Sequence, residues 1–277
     1  MTLSVNTNAG ALIALQNLTS TESQLASTQN EVSTGLAVSQ PSDNGAIWAI
    51  AQNQRSDSQS LDSVKQSLQR VQSTVDVATS AGTSVSDLLN QLKSAALSAS
   101  DTSLDTSSRS ALNANFTSLV AQIGKVVSSA SFNRANLLSS GTNLQALANS
   151  SGSSQLTVSA ENLSFSDKGG SIITFASTTT ISTSTSASTA LTAINSSISN
   201  VNNALAKLGT SSTALGDQLT FVGNLQDTID TGVGNLVDAN LAKESAQLQA
   251  LQTKQSLGIQ ALSIANSSTS SLLSLFR

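Results

Sequence analysis

The 277-residue chain contains no cysteine, no histidine and no tyrosine, and its one proline is Pro41. Without cysteine there are no disulfides and no thiolate metal sites. Without histidine the commonest acid–base group and metal ligand is gone. Charged residues make up 10% of the chain and aromatics 3%, so Ser, Thr, Asn and Gln fill the polar positions. These gaps leave few tools for catalysis; no enzyme activity, cofactor or metal site is expected. The net charge of −4 comes with no run of Lys or Arg, which argues against nucleic acid as a partner. The longest apolar stretches, such as "GAIWAIA" from Gly45 to Ala51, fall far short of the roughly 20 residues a membrane span needs. The start, "MTLSVNTNAG", lacks a basic segment, an apolar core and a small-residue cleavage site, so no secretory signal peptide is expected.

Scarce proline and an aliphatic core with few rings suit long packed helices. Leu61, Val64, Leu68, Val71, Val75 and Ala78 alternate steps of three and four, and past Gly82 the pattern resumes at Val85, Leu89, Leu92, Ala96 and Ala99. Such spacing lays one apolar stripe along a helix, as in a coiled-coil seam. At 1.5 Å per residue that helix is roughly 60 Å long. A second stripe runs through Leu112, Phe116, Leu119, Ile123, Val126 and Ala130. A third runs from Leu191 to Leu236, interrupted only by Ser212 and Gln226. The three predict antiparallel helices near 61–99, 105–130 and 191–232.

Both ends continue the theme. Ala11, Leu18, Leu25 and Val32 recur at intervals of seven with Leu15 beside them, and the segment stops near "STGLAVSQPSDNG", where Pro41 and Gly45 disfavour helix. Beyond Val233 the seam shifts to Val237, Leu241, Glu244, Leu248 and Leu251, a stutter of four residues where seven would keep phase. The breaks near 33–45 and 233–237 predict a joint, with terminal helices outside it and the three-stripe bundle inside. In the middle, alternation at Leu156, Val158 and Ala160 predicts a β-hairpin with its turn at Asp167 to Gly170. The low-complexity run Ser177 to Ala190 reads as a surface linker. The expected architecture is therefore mainly α, a long antiparallel coiled-coil-like bundle with paired N- and C-terminal helices and a small central β-hairpin.

The ends also carry recognisable motifs. "VNTNAGALIALQNL", "VSTGL", "SDNGAIWAIA", "FNRANLL", "LAKESAQLQALQTKQSLGIQALSIAN" and "LLSLFR" resemble bacterial flagellin, with the flavour of alphaproteobacterial, Caulobacter-like members. The resemblance implies that residues 1–40 and 238–277 are terminal helices of an inner filament core. It implies an outer helical domain from 41–140 and 190–237, with 141–189 as the hairpin and Ser/Thr-rich linker of that domain. The implied function is a secreted, extracellular subunit that polymerises into the flagellar filament for swimming. A hook–filament junction protein is the alternative.

Further consequences follow from that resemblance. The polymerisation interface would include Leu15, Leu18, Leu25 and Val32 at one end. At the other it would include Leu241, Leu248, Leu251, Leu262, Leu272, Leu273, Leu275 and Phe276. Implied partners are further copies of the chain, an export chaperone on the C-terminal helix, and hook-associated and cap proteins, with O-linked glycans on Ser/Thr. Export would run through the flagellar type III channel. The chain departs from the family pattern at three points: Glu31 and Ala37 stand where basic residues are usual, Arg134 stands where the family reads Phe-Asn-Gly, and "NQLKSA" (Asn90 to Ala95) replaces the family segment read by an animal innate-immune receptor. Glu244, in an apolar register, is expected as a solvated carboxylate at the joint, with a buried partner for a cation such as Lys243 or Lys254 of a neighbouring copy as the alternative. Trp48 is expected as a packing anchor. Asp43-Asn44-Gly45 lacks the spaced acidic positions of a calcium loop and is expected as a turn or helix cap.

Overall fold

The computed structural model describes residues 8–274 apart from Ser140 and Gly169, with backbone only for Lys168 and 268–274. Five helices dominate: α1 (Ala9–Thr34), α2 (Gly45–Ser100), α3 (Thr106–Ser129), α4 (Ser184–Val237) and α5 (Leu241–Ser274). Two strands, β1 (Leu144–Leu147) and β2 (Gln155–Val158), form an antiparallel hairpin with Leu144 opposite Val158 and Leu147 opposite Gln155.

Side-chain caps fix where the helices begin. The carboxylate of Asp105 accepts from the Ser108 N–H at 2.9 Å at the head of α3, and the Asn44 carbonyl accepts from the Ile47 N–H at 3.2 Å at the head of α2. Each satisfies a donor the first turn leaves unpaired. The C-terminus of α2 is closed by Arg109, a buried guanidinium that donates to the carbonyls of Ala99, Asp101 and Leu104. A cation there also complements the negative end of the helix dipole.

The chain divides into two compact units, residues 1–56 with 228–277, and residues 57–227. In the second unit the α2 stripe from Leu61 to Ala99 is buried along its whole length, including Gly82, where a Cβ would come within 2.7 Å of Leu205 Cδ2. Phe116, Ile123, Ile194, Val201, Leu208, Leu215 and Val222 from α3 and α4 are buried as well. The two polar interruptions of the α4 stripe are both hydrogen-bonded to α2. Ser212 Oγ accepts from Gln72 Nε2 at 2.7 Å. Gln226 bonds Lys65 Nζ and Asp62 Oδ1. They act as register pins, since a slip along the seam would bury these groups unpaired.

Two sequence expectations are corrected in this unit. The hairpin turn lies at 148–154, closed by Ala148 N–H to Ser154 O at 3.0 Å with Gly152 at φ 70°; Ser166–Lys168 is instead a short 3-10 turn. There the Asp167 carboxylate accepts from Ser177 rather than from a facing strand. The Ser177–Ala190 run is a linker only in its first part, because α4 starts at Ser184. Thr183 and Ser186 cap it reciprocally. Ala187, Ala190 and Ile194 bury one face, and hydroxyls such as Ser188 donate back to the carbonyl four residues earlier. Small apolar residues at helical spacing won over composition.

Candidate assembly surface on the terminal helices

In the other unit, α1 and α5 pack together as an antiparallel pair. Asn8 caps α1, its Oδ1 accepting from the Ala11 N–H at 3.0 Å, and its Nδ2 donates to Ala265 O at 2.8 Å. Halfway along, Gly258 of α5 faces Leu18 of α1, and a Cβ at Gly258 would meet Leu18 Cδ1 at 3.3 Å. At the far end Glu31 lies beside Glu244. The glycine permits close helix approach, and the three pairings fix one register.

The two breaks between helices lie side by side. Gly35, at φ 74°, ends α1 in the left-handed conformation that glycine adopts without strain. From there Ala37 N–H donates to Val237 O at 2.7 Å, and Ala239 N–H donates to Gly35 O at 2.9 Å. Leu36 pairs with Asp238 as a short antiparallel bridge. Val38, Ala51, Val233 and Val237 form a small core beneath, with Leu36, Ile47, Trp48 and Ile229 packed around it. Trp48 is thus a packing anchor. Asp43 closes the connecting turn by accepting from the Ser39 and Gln40 N–H groups at 2.9 and 3.0 Å. Desolvation pushes its carboxyl up, but the bonds from Gln40 and Ser39 together outweigh this and hold it below its ordinary value.

Glu244 corrects an expectation. It is 7% exposed, and its Oε1 is 3.5 Å from Lys243 Nζ of the same chain. The turn of α5 carrying it is clamped by Asn240, whose Oδ1 accepts from the Lys243 N–H, and that places the side chain against α1 rather than in water. The neighbouring Glu31 carboxyl is raised, first by desolvation and then by Glu244 and Asp43, against a lowering hydrogen bond from Ser27.

The residues expected at the polymerisation interface fall into three groups. Leu18, Leu25 and Val32 of α1 and Leu248 and Leu262 of α5 are half-buried, and Leu251 is buried. These belong to the seam between α1 and α5. Leu15 and Leu241 are each 49% exposed. Leu272 and Leu273 lie on the backbone of α5, and their side chains, like all of Leu275 and Phe276, are outside the described residues. Sequence periodicity passed over five more: Leu12, Ile13, Leu257, Ile259 and Ile264 are 54–69% exposed. The signal that finds them is apolar residues left over once each helix's seam has been assigned.

Among the described residues no group of three or more acidic residues sits where it could hold a metal, and no helix is long and apolar enough to cross a membrane. What the terminal unit offers is a set of exposed apolar residues beside a small core. Residues 5–144 match the bacterial flagellin N-terminal helical region, and residues 191–276 match the bacterial flagellin C-terminal helical region. The chain is 53% identical to flagellin FljK of Caulobacter vibrioides over 99% of this chain and 98% of that protein. It is 53% identical to flagellin FljM of the same organism over the same shares of each chain. A flagellin of Brucella melitensis is 40% identical over 99% of both. Two family regions in the right order, and relatives matched from end to end, decide between filament subunit and junction protein: the chain belongs to the bacterial flagellin family and is a subunit of the flagellar filament.

Proposed function

We propose that the exposed apolar residues of α1 and α5, together with the C-terminal Leu272, Leu273, Leu275 and Phe276, form the contacts through which this flagellin polymerises. A flagellin is a structural protein rather than an enzyme, and its place is the extracellular filament used for swimming. The observation that carries the assignment is the set Leu12, Ile13, Leu15, Leu257, Ile259 and Ile264, uncovered on a helix pair with little core of its own. Residues 1–40 and 238–277 are the inner filament core in this reading, and 41–237 the outer domain. Before assembly the same surface needs a cover, which suits an export chaperone on α5 and delivery through the type III channel. Hook-associated and cap proteins would meet it at the filament ends. The Ser- and Thr-rich exposed faces are the candidate carriers of O-linked glycans.

The test is seeded polymerisation of the chain with residues 267–277 removed, alongside circular dichroism. Loss of filament growth with an unchanged melt of the 57–227 unit is the expected result. Normal growth by the truncated chain would refute the assignment, and a lost melt would place the C-terminal end in the core instead.

A further inference from the structure

Asn44-Gly45 is the only Asn-Gly pair in the chain, and nothing in the fold accounts for its glycine. Gly45 opens α2, its φ is not left-handed, and a Cβ built on it meets nothing within 4 Å among the described residues. Alanine fits there and is the better helix former. What glycine adds is reactivity. The peptide nitrogen after an asparagine lies close enough to the side-chain amide carbon to close a five-membered ring, and a Cβ on the following residue hinders that approach. Both residues are exposed, and the Gly45 N–H is among the donors that a first helical turn leaves unpaired.

The start of α2 opposes the reaction. Asn44 Oδ1 accepts from the Ile47 N–H at 3.2 Å, and its main-chain O accepts from the Trp48 N–H at 2.9 Å. Swinging Cγ onto the Gly45 nitrogen gives up the first bond and turns the peptide that makes the second. On the preceding side Asp43 is tied back by the Ser39 and Gln40 N–H groups, so Asn44 is held between closed turns.

We propose that Asn44 is a deamidation site gated by the first turn of α2, shut while that turn is capped and open when the chain is unfolded. The Gly45 nitrogen gives its proton to hydroxide and attacks Asn44 Cγ. The tetrahedral adduct takes up a proton on the amide nitrogen and expels ammonia, leaving a succinimide. Water then opens either carbonyl. Attack at Cγ gives aspartate at position 44; attack at the main-chain carbon gives isoaspartate, with the chain running through the former side chain. The sum is one water consumed and one ammonia released, with no oxidation or reduction.

The two products differ in effect. Aspartate keeps a capping oxygen and adds a negative charge that suits a helix N-terminus. Isoaspartate inserts a methylene into the backbone and displaces the carbonyl that receives the Trp48 N–H. Ile47 and Trp48 pack around the small core of Val38, Ala51, Val233 and Val237, so this product disturbs that core.

Held in mildly alkaline buffer, the full chain unfolded in guanidinium should lose the Asn44 amide at least about tenfold faster than the folded chain, which reacts only through its locally opened fraction. Peptide mapping after incubation in heavy-oxygen water reads the loss as labelled aspartate and isoaspartate at position 44. Equal rates in the two states overturn the gate. In the unfolded chain Asn44 should also react faster than Asn149, Asn195 and Asn266, each followed by serine; a slower Asn44 overturns the site. Gly45→Ala, which the open space there accommodates, should remove the excess rate while keeping α2, and an undiminished rate in that variant overturns the site as well. The sole tryptophan, Trp48, gives a second readout. After ageing unfolded and refolding, the native chain should emit to the red of Gly45→Ala treated alike. Coincident spectra with isoaspartate present overturn the effect on the core.

Discussion

The long bundle and the terminal pair are built from the same heptad chemistry and end in different states. In the 57–227 unit, three helices and a hairpin pack together, and Leu61, Leu68, Leu89 and Leu92 of α2 are almost fully buried. In the terminal pair, Leu18, Leu25 and Val32 meet only one facing helix and stay half-buried, while Leu12 is 59% and Ile264 69% exposed. Two helices can cover one side of each other and no more. The bundle is complete as a single chain; the terminal pair leaves apolar sides uncovered, and these are the sides proposed above as the contacts with other copies. Sequence pattern alone did not separate the two cases, because a stripe states that a face will be buried and not by whom.

The contrast can be broken by substitution. Leu68→Ala should cost about 2–5 kcal/mol in the melt of the monomer, since it opens a cavity where nothing is exposed. Leu18→Ala, on the half-buried seam, should leave that main transition in place. Equal shifts from the two would mean that the two regions unfold as one.

Arg109→Met comes next. It strands the carbonyls of Ala99, Asp101 and Leu104 at the end of α2, for an expected loss of about 2–3 kcal/mol, read by chemical denaturation. No change would place these carbonyls in contact with water.

A smaller effect of opposite sign is expected at Arg134. Asn133 and Arg134 both sit at positive φ, 47° and 65°, in a tight turn closed by reciprocal bonds between Phe132 and Ala135. Glycine, which the family pattern has there, removes the strain, so Arg134→Gly should stabilise the bundle by about 1 kcal/mol in the same assay. A loss would mean that the arginine side chain contributes more than its backbone costs.

The smallest effect belongs to the terminal pair. The Glu31 carboxyl is raised from its ordinary 4.5, chiefly by desolvation, with Glu244 and Asp43 adding to it. A raised acid binds its proton more tightly when folded, so its contribution is fully present below 4.5 and is lost as pH rises through the folded value. Pairing of α1 with α5 should therefore tighten as pH falls from neutral towards 4.5, seen as larger amide protection factors in both helices once the slower intrinsic exchange at lower pH is divided out. Asp43, lowered from its ordinary 3.8, works the other way, and its contribution disappears only as pH falls below that value. Glu31→Lys, which restores the family's usual charge beside Glu244, should abolish the gain. Persistence of the gain in that variant would remove Glu31 from the account.

Much of this was legible in the sequence, and the reasons for success and failure are physical. The stripes on α2, α3 and α4 could be read because period and burial coincide wherever several neighbours cover one face. The start of α4 was missed because Ser and Thr favour turns by composition, while Ala187 and Ala190 give too weak an apolar signal to outweigh them. The hairpin turn was misplaced because Asp167 to Gly170 has turn chemistry that a 3-10 turn satisfies equally well. Burial of Glu244 depends on a facing helix more than two hundred residues away in sequence, and no local window contains that. Leu12 and Ile264 were passed over because they lie off the seam that defines their helices.

The bridge between the two breaks carries one more consequence. Gly35 bonds to Ala239 and Ala37 to Val237, so closing it joins segments separated by most of the chain. Its loop entropy grows only slowly with length, but no local contact can form it early. A chain delivered end-first through a narrow passage therefore cannot finish its terminal pair until the opposite end has emerged. If the terminal pair is the assembly surface proposed above, completeness of the polypeptide becomes a condition for joining the filament, because a truncated chain is left without that pair.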